Sequence, residues 1–365
     1  MGNGPGDIWQ YTEIINKYPK LIGGCIWEWA DHVVTVDEVQ KYGGDFEGEL
    51  THDLNFCCDG MVFSDRSFKA GTYEVKAAYQ PMATSLNGNI LTVTNRFDFT
   101  SFEEYNLIVT LEKDGECVYE NTYKLNTEPH ATSNIEVQLP NLDAKYGVFL
   151  NCKLQKGNCE VAHTQHKLDY NKIANPCDLD LPDFEEDKEY IIAKGENFEY
   201  KFSKFYGNFT SIKVNGNEQL AERLSLTVWR APVDNDRSLK AIWGNVNIWQ
   251  GENLDCLFSK VYDCFIKDGV ITVIGSLTGV SRTPLLKYTL TVKISNAGKI
   301  TYFLDGDIRK TAPYRNGDIW LPRLGFEFAV EGSNREFLYY NNGPFESYCD
   351  MCHAGSVGLY YSNAD

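Results

Sequence analysis

The feature that most constrains this chain is a change of grammar near Tyr79. Before it, apolar residues are spaced for one helix and then massed for one strand. After it, short segments alternate apolar and polar residues almost to the end. Asp7 stands where it can N-cap a helix from Ile8 to about Lys17, which Tyr18-Pro19 closes. Leu21 to Trp27 reads as a fully buried strand, short and apolar, bounded by Pro19 and by the polar residues after Trp29. A helix feeding a buried strand is the repeat unit of a parallel α/β barrel, and one such unit cannot close a barrel.

The alternating part divides in two. Ile90 to Thr94, Asn106 to Glu112, Glu116 to Glu120, Ile135 to Leu139 and Val148 to Leu154 are strand-like, with Asp114-Gly115 as a hairpin turn. Short strands at this spacing predict an immunoglobulin-like β-sandwich. Asn175 to Lys188, with Pro176, Pro182 and an acidic run from Asp183 to Asp187, reads as a linker. Beyond it Phe198 to Phe202, Leu224 to Trp229, Val270 to Ile274, Tyr288 to Ile294 and Ile300 to Leu304 form a second β region, turned at Asn296-Ala297-Gly298. That region reaches the last residue without an obvious closing element, so an incomplete sandwich is expected.

A length of 365 residues exceeds one ordinary core and suits two or three domains. Hydrophobic content of 43%, with 13% aromatic residues, is ample for packed cores. A net charge of −17 disfavours nucleic acid and anionic membrane surfaces, which select basic patches. No apolar window of about 18 residues is present, so no membrane-spanning helix is expected. Met1 to Gly6 lacks the regions of a signal peptide, and Gly6 stands where N-myristoylation needs Ser or Thr. With eleven scattered cysteines and no export signal, reduced thiols and a cytoplasmic location are the expectation.

The chemistry-bearing blocks lie early. Gly23-Gly24-Cys25-Ile26-Trp27-Glu28-Trp29-Ala30-Asp31 sets two tryptophans among carboxylates, and Tyr42 to Phe46 and Phe56-Cys57-Cys58-Asp59-Gly60 follow with glycine turns and further acids. Indole faces bind the apolar faces of sugars, and carboxylates hold hydroxyls or cations. Read from the residues alone, Trp27 is better explained by a packed core, and Asp59 equally well by a turn before Gly60. Glu28, Asp31 and Asp45 suit salt-bridged loop anchors better than an acid/base pair. Cys349-Asp350-Met351-Cys352-His353 fits haem attachment only by coincidence, and Asn208-Phe209-Thr210 is a nominal glycosylation sequon.

These blocks, in order, resemble the family 2 β-galactosidases. Met1-Gly2-Asn3, Gly24 to Asp31, Tyr42 to Phe46, Phe56 to Gly60 with Val62 to Arg66, and Tyr73 to Lys76 resemble the end of the catalytic barrel. Trp229 to Asp236, Leu321 to Gly325 and Gly343 to Asp350 resemble blocks of the large β-sandwich. The resemblance implies a mainly β multidomain chain: residues 1–76 the end of a TIM barrel, 77–175 an immunoglobulin-like sandwich, 176–188 a linker, and 189–365 an incomplete large sandwich. It implies a retaining glycosidase, with two carboxylates about 5–5.5 Å apart. Both glutamates precede the Met-Gly-Asn in the family, so the chain is expected to lack them and to be inactive alone.

By resemblance Trp27 is the aromatic wall against galactose. Phe56, by its carbonyl, and Asp59, by its carboxylate, match the pair that helps hold Na⁺ or K⁺. His52 falls where some relatives place a ligand of a second Mg²⁺, for which imidazole is poorly suited. The full-length enzyme is expected to use Mg²⁺ and a monovalent cation, to take a small galactoside such as lactose, and to form homo-oligomers. The rival reading is a non-catalytic sugar-binding or complementing module.

Overall fold

The computed structural model describes residues 4–52, 56–173, 180–230, 252–309, 321–332 and 336–363. It is mainly β, with helices only at Ile8–Lys17 and Ala70–Ala78 among the described residues. The chain forms two compact units, one of Met1–Ile173 with Glu336–Asp365, the other of Ala174–Arg335.

In the first unit the helix Ile8–Lys17 occupies its expected span, but Asp7 does not cap it. Asp7 takes a left-handed φ of 60°, and its side chain makes no cap hydrogen bond. Its backbone N–H donates instead to the Asp350 carbonyl at 2.8 Å. The strand expected over Leu21 to Trp27 does not form: this stretch is irregular, with Ile22 102% and Trp27 70% exposed. A buried parallel strand needs partners on both edges to satisfy its backbone. The described residues give only the following segment a partner, through a parallel bridge from Ala30 to Val62.

The sandwich from Met82 is built as the alternation requires. Met82–Asn87, Ile90–Asn95 and Thr132–Glu136 make one antiparallel sheet. Cys159–Leu168, Val148–Lys156, Asn106–Lys113 and Glu116–Lys124 make the facing sheet, in that order. Every second residue of Asn106–Lys113 points inward, so Leu107, Val109 and Leu111 are fully buried against Leu91, Val93, Leu150 and Leu154. Each such side chain contributes about 1.5–3 kcal/mol of burial. The buried Asn95 closes one corner: its amide donates to the Thr100 and Thr127 carbonyls at 2.8 and 2.9 Å, and its Oδ1 accepts from Phe97 N–H.

The hairpin of Glu336–Gly343 and Ser356–Asn363 packs in this first unit, although the sequence expectation carries one sandwich through 189–365. Gln165 bonds Val357 through both ends of its amide, at 2.8 Å each way. Phe345 stacks on Tyr73 of the second helix at 4.1 Å.

The second unit is all antiparallel. Asp183–Glu186, Tyr190–Lys194, Phe198–Ser203, Asn208–Val214 and Asn217–Glu218 form one sheet. Leu257–Lys267, Val270–Gly279, Leu286–Ile294 and Ile300–Ile308 form another, and Leu220–Thr227 pairs with Gly325–Val330. Phe202, Phe209, Leu226, Ile271, Leu290 and Val292 belong to the common core. Part of the expected linker is therefore an edge strand. The acids of Asp183–Glu186 suit that place, since edge charge discourages pairing with other chains. Ala231 to Asp236 of the Trp229 block lie outside the described residues, as do Met1 to Asn3 and Asp53.

Candidate functional site

The two early blocks are zipped together. Glu28 N–H donates to the Asp59 carbonyl at 3.3 Å, and Met61 N–H to the Glu28 carbonyl at 2.8 Å. Val62 N–H donates to Trp29 at 3.0 Å, Asp31 N–H to Val62 at 3.1 Å, and His32 N–H to Cys57 at 3.0 Å. Gly60 is needed where the segments touch, because a Cβ there would sit 2.2 Å from Asp31 N and 2.3 Å from Ala30 C. Asp31 Oδ1 accepts from Gly60 N–H at 2.9 Å and from Lys69 Nζ at 2.6 Å. Lys69 also lies over the Phe63 ring, and Thr72 Oγ1 donates to the Met61 carbonyl.

This places the expected residues as follows. Trp27 presents an exposed indole at the edge of the zipped segment, joined to Glu28 by a cis peptide. Phe56 and Asp59 lie on the same short strap. Asp59 Oδ1 is buried without a hydrogen-bond partner, the one such side-chain atom among the described residues of this unit. A buried carboxylate oxygen facing no donor is costly unless a cation meets it, so the strap fits a hard, oxygen-seeking ion.

His52 Nε2 donates a 2.9 Å bond to Asp45 Oδ1. Tyr42 N–H, then that imidazole, holds the Asp45 carboxyl below its usual range. No group of three or more His, Cys, Asp or Glu side chains suited to a metal occurs among the described residues. Among the described residues the strap thus leaves an oxygen at Asp59 that fits a monovalent cation, while His52, bonded to Asp45, joins no group of magnesium ligands. Glu28 pairs with His32 at 2.7 Å, so Glu28, Asp31 and Asp45 all serve loop contacts.

A second cluster joins two sequence blocks, Tyr73 to Lys76 and Cys349 to His353, whose pairing the sequence does not show. Glu74, 1% exposed, accepts from His353 N–H at 2.9 Å, His353 Nδ1 at 2.8 Å and Ala354 N–H at 3.0 Å. Trp9 stacks on the same imidazole at 4.4 Å. The histidine of the Cys-x-x-Cys-His run is therefore a fastening for the C-terminal hairpin. Lys69, Gly60 and Glu74 were not legible as site support, because their partners lie far along the chain and follow no period. In the second unit a 1020 Å³ groove is lined by Phe205, Tyr206, Phe258, Tyr262, Lys188 and Lys204, among others.

Comparison with known proteins bears on these blocks in order. Residues 1–84 match the TIM barrel domain of glycosyl hydrolases family 2, 91–170 match domain 4 of β-galactosidase, and 194–365 match the β-galactosidase small chain. A β-galactosidase of Actinobacillus pleuropneumoniae is 28% identical over all of this chain, and one of Staphylococcus xylosus 28% over 96% of it. The chain belongs to the family 2 β-galactosidases. It spans 37% and 36% of those two relatives. An exo-chitosanase of Amycolatopsis orientalis superposes over 84% of this chain and 29% of its own, at 10% identity and a TM-score of 0.22, too weak to bear on the fold. The first 84 residues thus match a barrel domain, a fold in which active-site residues gather at the strand ends.

Proposed function

We propose that this chain supplies the substrate wall and cation support of a β-galactosidase that hydrolyses terminal β-D-galactosides, such as lactose, with retention. Trp27 stacks on the sugar, and the Phe56 carbonyl with the Asp59 carboxylate holds Na⁺ or K⁺, whose charge orients a sugar hydroxyl. The acid/base and nucleophilic glutamates are not among these residues, and Mg²⁺ belongs to the longer enzyme. The functional form is a homo-oligomer. The observation that carries this reading is the zipped strap, which fixes an exposed indole and an unpartnered buried carboxylate oxygen on one rigid piece.

The test joins this chain to the preceding portion of the Actinobacillus relative and follows o-nitrophenyl-β-D-galactoside hydrolysis. The joined protein turns over. Trp27→Ala lowers its kcat/KM about 100-fold, roughly 3 kcal/mol of transition-state stabilisation. Asp59→Ala abolishes its dependence on Na⁺ or K⁺. A folded joined protein whose kinetics ignore Trp27→Ala overturns the sugar-wall role.

A further inference from the structure

The adjacent thiols of Cys57 and Cys58 are the feature that the glycosidase reading leaves unused. Side chains of neighbouring residues ordinarily diverge, pointing to opposite faces in extended chain. Here the two sulfurs face each other at 3.7 Å. Bonds of about 2.25 Å from one pyramidal trivalent centre, at angles of about 95–100°, would set two sulfurs roughly 3.3–3.5 Å apart, whereas a disulfide needs about 2.05 Å. The pair therefore stands a few tenths of an ångström from the bite of such a dithiolate chelate, a shift that a small side-chain rotation supplies.

The surroundings select which centre suits it. No group of three or more metal-ligating side chains is present among the described residues, so a zinc ion would find two ligands where it needs four. A centre that needs only two sulfurs and carries its own third substituent is satisfied. Cys58 is exposed and is met first, while Cys57 lies just inside, 6% exposed.

We propose that Cys57 and Cys58 form a dithiol modification site for monosubstituted trivalent arsenicals. The step is a condensation: two S–H bonds and the As=O bond break, two As–S bonds form, and both protons leave with the oxygen as water. Arsenic stays trivalent, so no oxidant or reductant enters. The resulting ring lies across the strap, where the Cys57 carbonyl accepts from His32 N–H and the Asp59 carbonyl from Glu28 N–H. The site stands whether or not the galactosidase reading does.

The test adds one equivalent of phenylarsine oxide to the phosphine-reduced 365-residue chain, weighs the intact adduct, and locates it by digestion and tandem mass spectrometry. The adduct is expected on the peptide carrying Cys57 and Cys58, and 2,3-dimercaptopropanol removes it. Cys58→Ser, at an exposed thiol outside any core, weakens binding at least about 100-fold, since the second bond is no longer intramolecular. Cys57→Ser does the same. A Cys349→Ser, Cys352→Ser double variant binds as the parent does. An adduct on Cys349 and Cys352, or binding within threefold of the parent in Cys58→Ser, overturns the proposal.

Discussion

Asp114 shows how much a single carboxylate organises here. At the turn between Asn106–Lys113 and Glu116–Lys124, its Oδ1 accepts from Lys145, Tyr146 and Gly147 N–H at 3.1, 2.7 and 3.1 Å. Partial burial pushes its carboxyl up, but these three donors outweigh it and leave the group below its usual range. A depressed folded value means stability that is full above the unfolded carboxylate value of about 3.9 and is lost as pH falls through the folded one. Asp114→Ala is therefore expected to cost about 1–3 kcal/mol near neutrality, with the gap to the parent closing in acid. Urea unfolding of the first unit at several pH values checks this, and a gap that stays constant into strong acid contradicts it. Glu74→Ala leaves three donors of His353 and Ala354 without an acceptor in a buried place. It should cost a further 1–3 kcal/mol or so and raise hydrogen exchange selectively across Ser356–Asn363.

At the scale of elements, the strands of the sandwich were legible because their inward faces are apolar at every second residue. Asn106–Lys113 and Val148–Lys156 follow that pattern within a residue or two of expectation. Leu107→Ala removes a fully buried side chain from this core and is expected to cost about 2–5 kcal/mol, read from denaturant midpoints. Leu21 to Trp27 carries the composition of a buried strand but lacks the neighbours that burial requires, and no local pattern reports missing neighbours. Its amides should exchange far faster than those of Val148–Lys156; equal protection would refute the irregular segment described here. Asp183–Glu186 was misjudged for the opposite reason, since acids that mark a linker also mark a protected sheet edge. The candidate site was legible only through motif order. Trp27, Phe56 and Asp59 come from the resemblance, while Gly60, Lys69 and Glu74 act through partners that sequence distance hides.

At the scale of the molecule, the family models for the TIM barrel domain, domain 4 and the small chain follow one another along the 365 residues. Tyr11, Ile14, Leu21, Ile22, Trp27 and Trp29 remain exposed in the barrel-end part, a large apolar surface by ordinary standards. The chain alone should self-associate in a concentration-dependent way despite its charge of −17, as sedimentation velocity would record. In the proposed function these residues wall the sugar site and support a cation, and the acid, base and nucleophile come from elsewhere. The most direct measurement is o-nitrophenol release from the galactoside by the purified 365-residue chain, with Trp27→Ala alongside. No release above the uncatalysed rate is expected from either. Turnover that co-purifies with the chain and disappears in Trp27→Ala would contradict it.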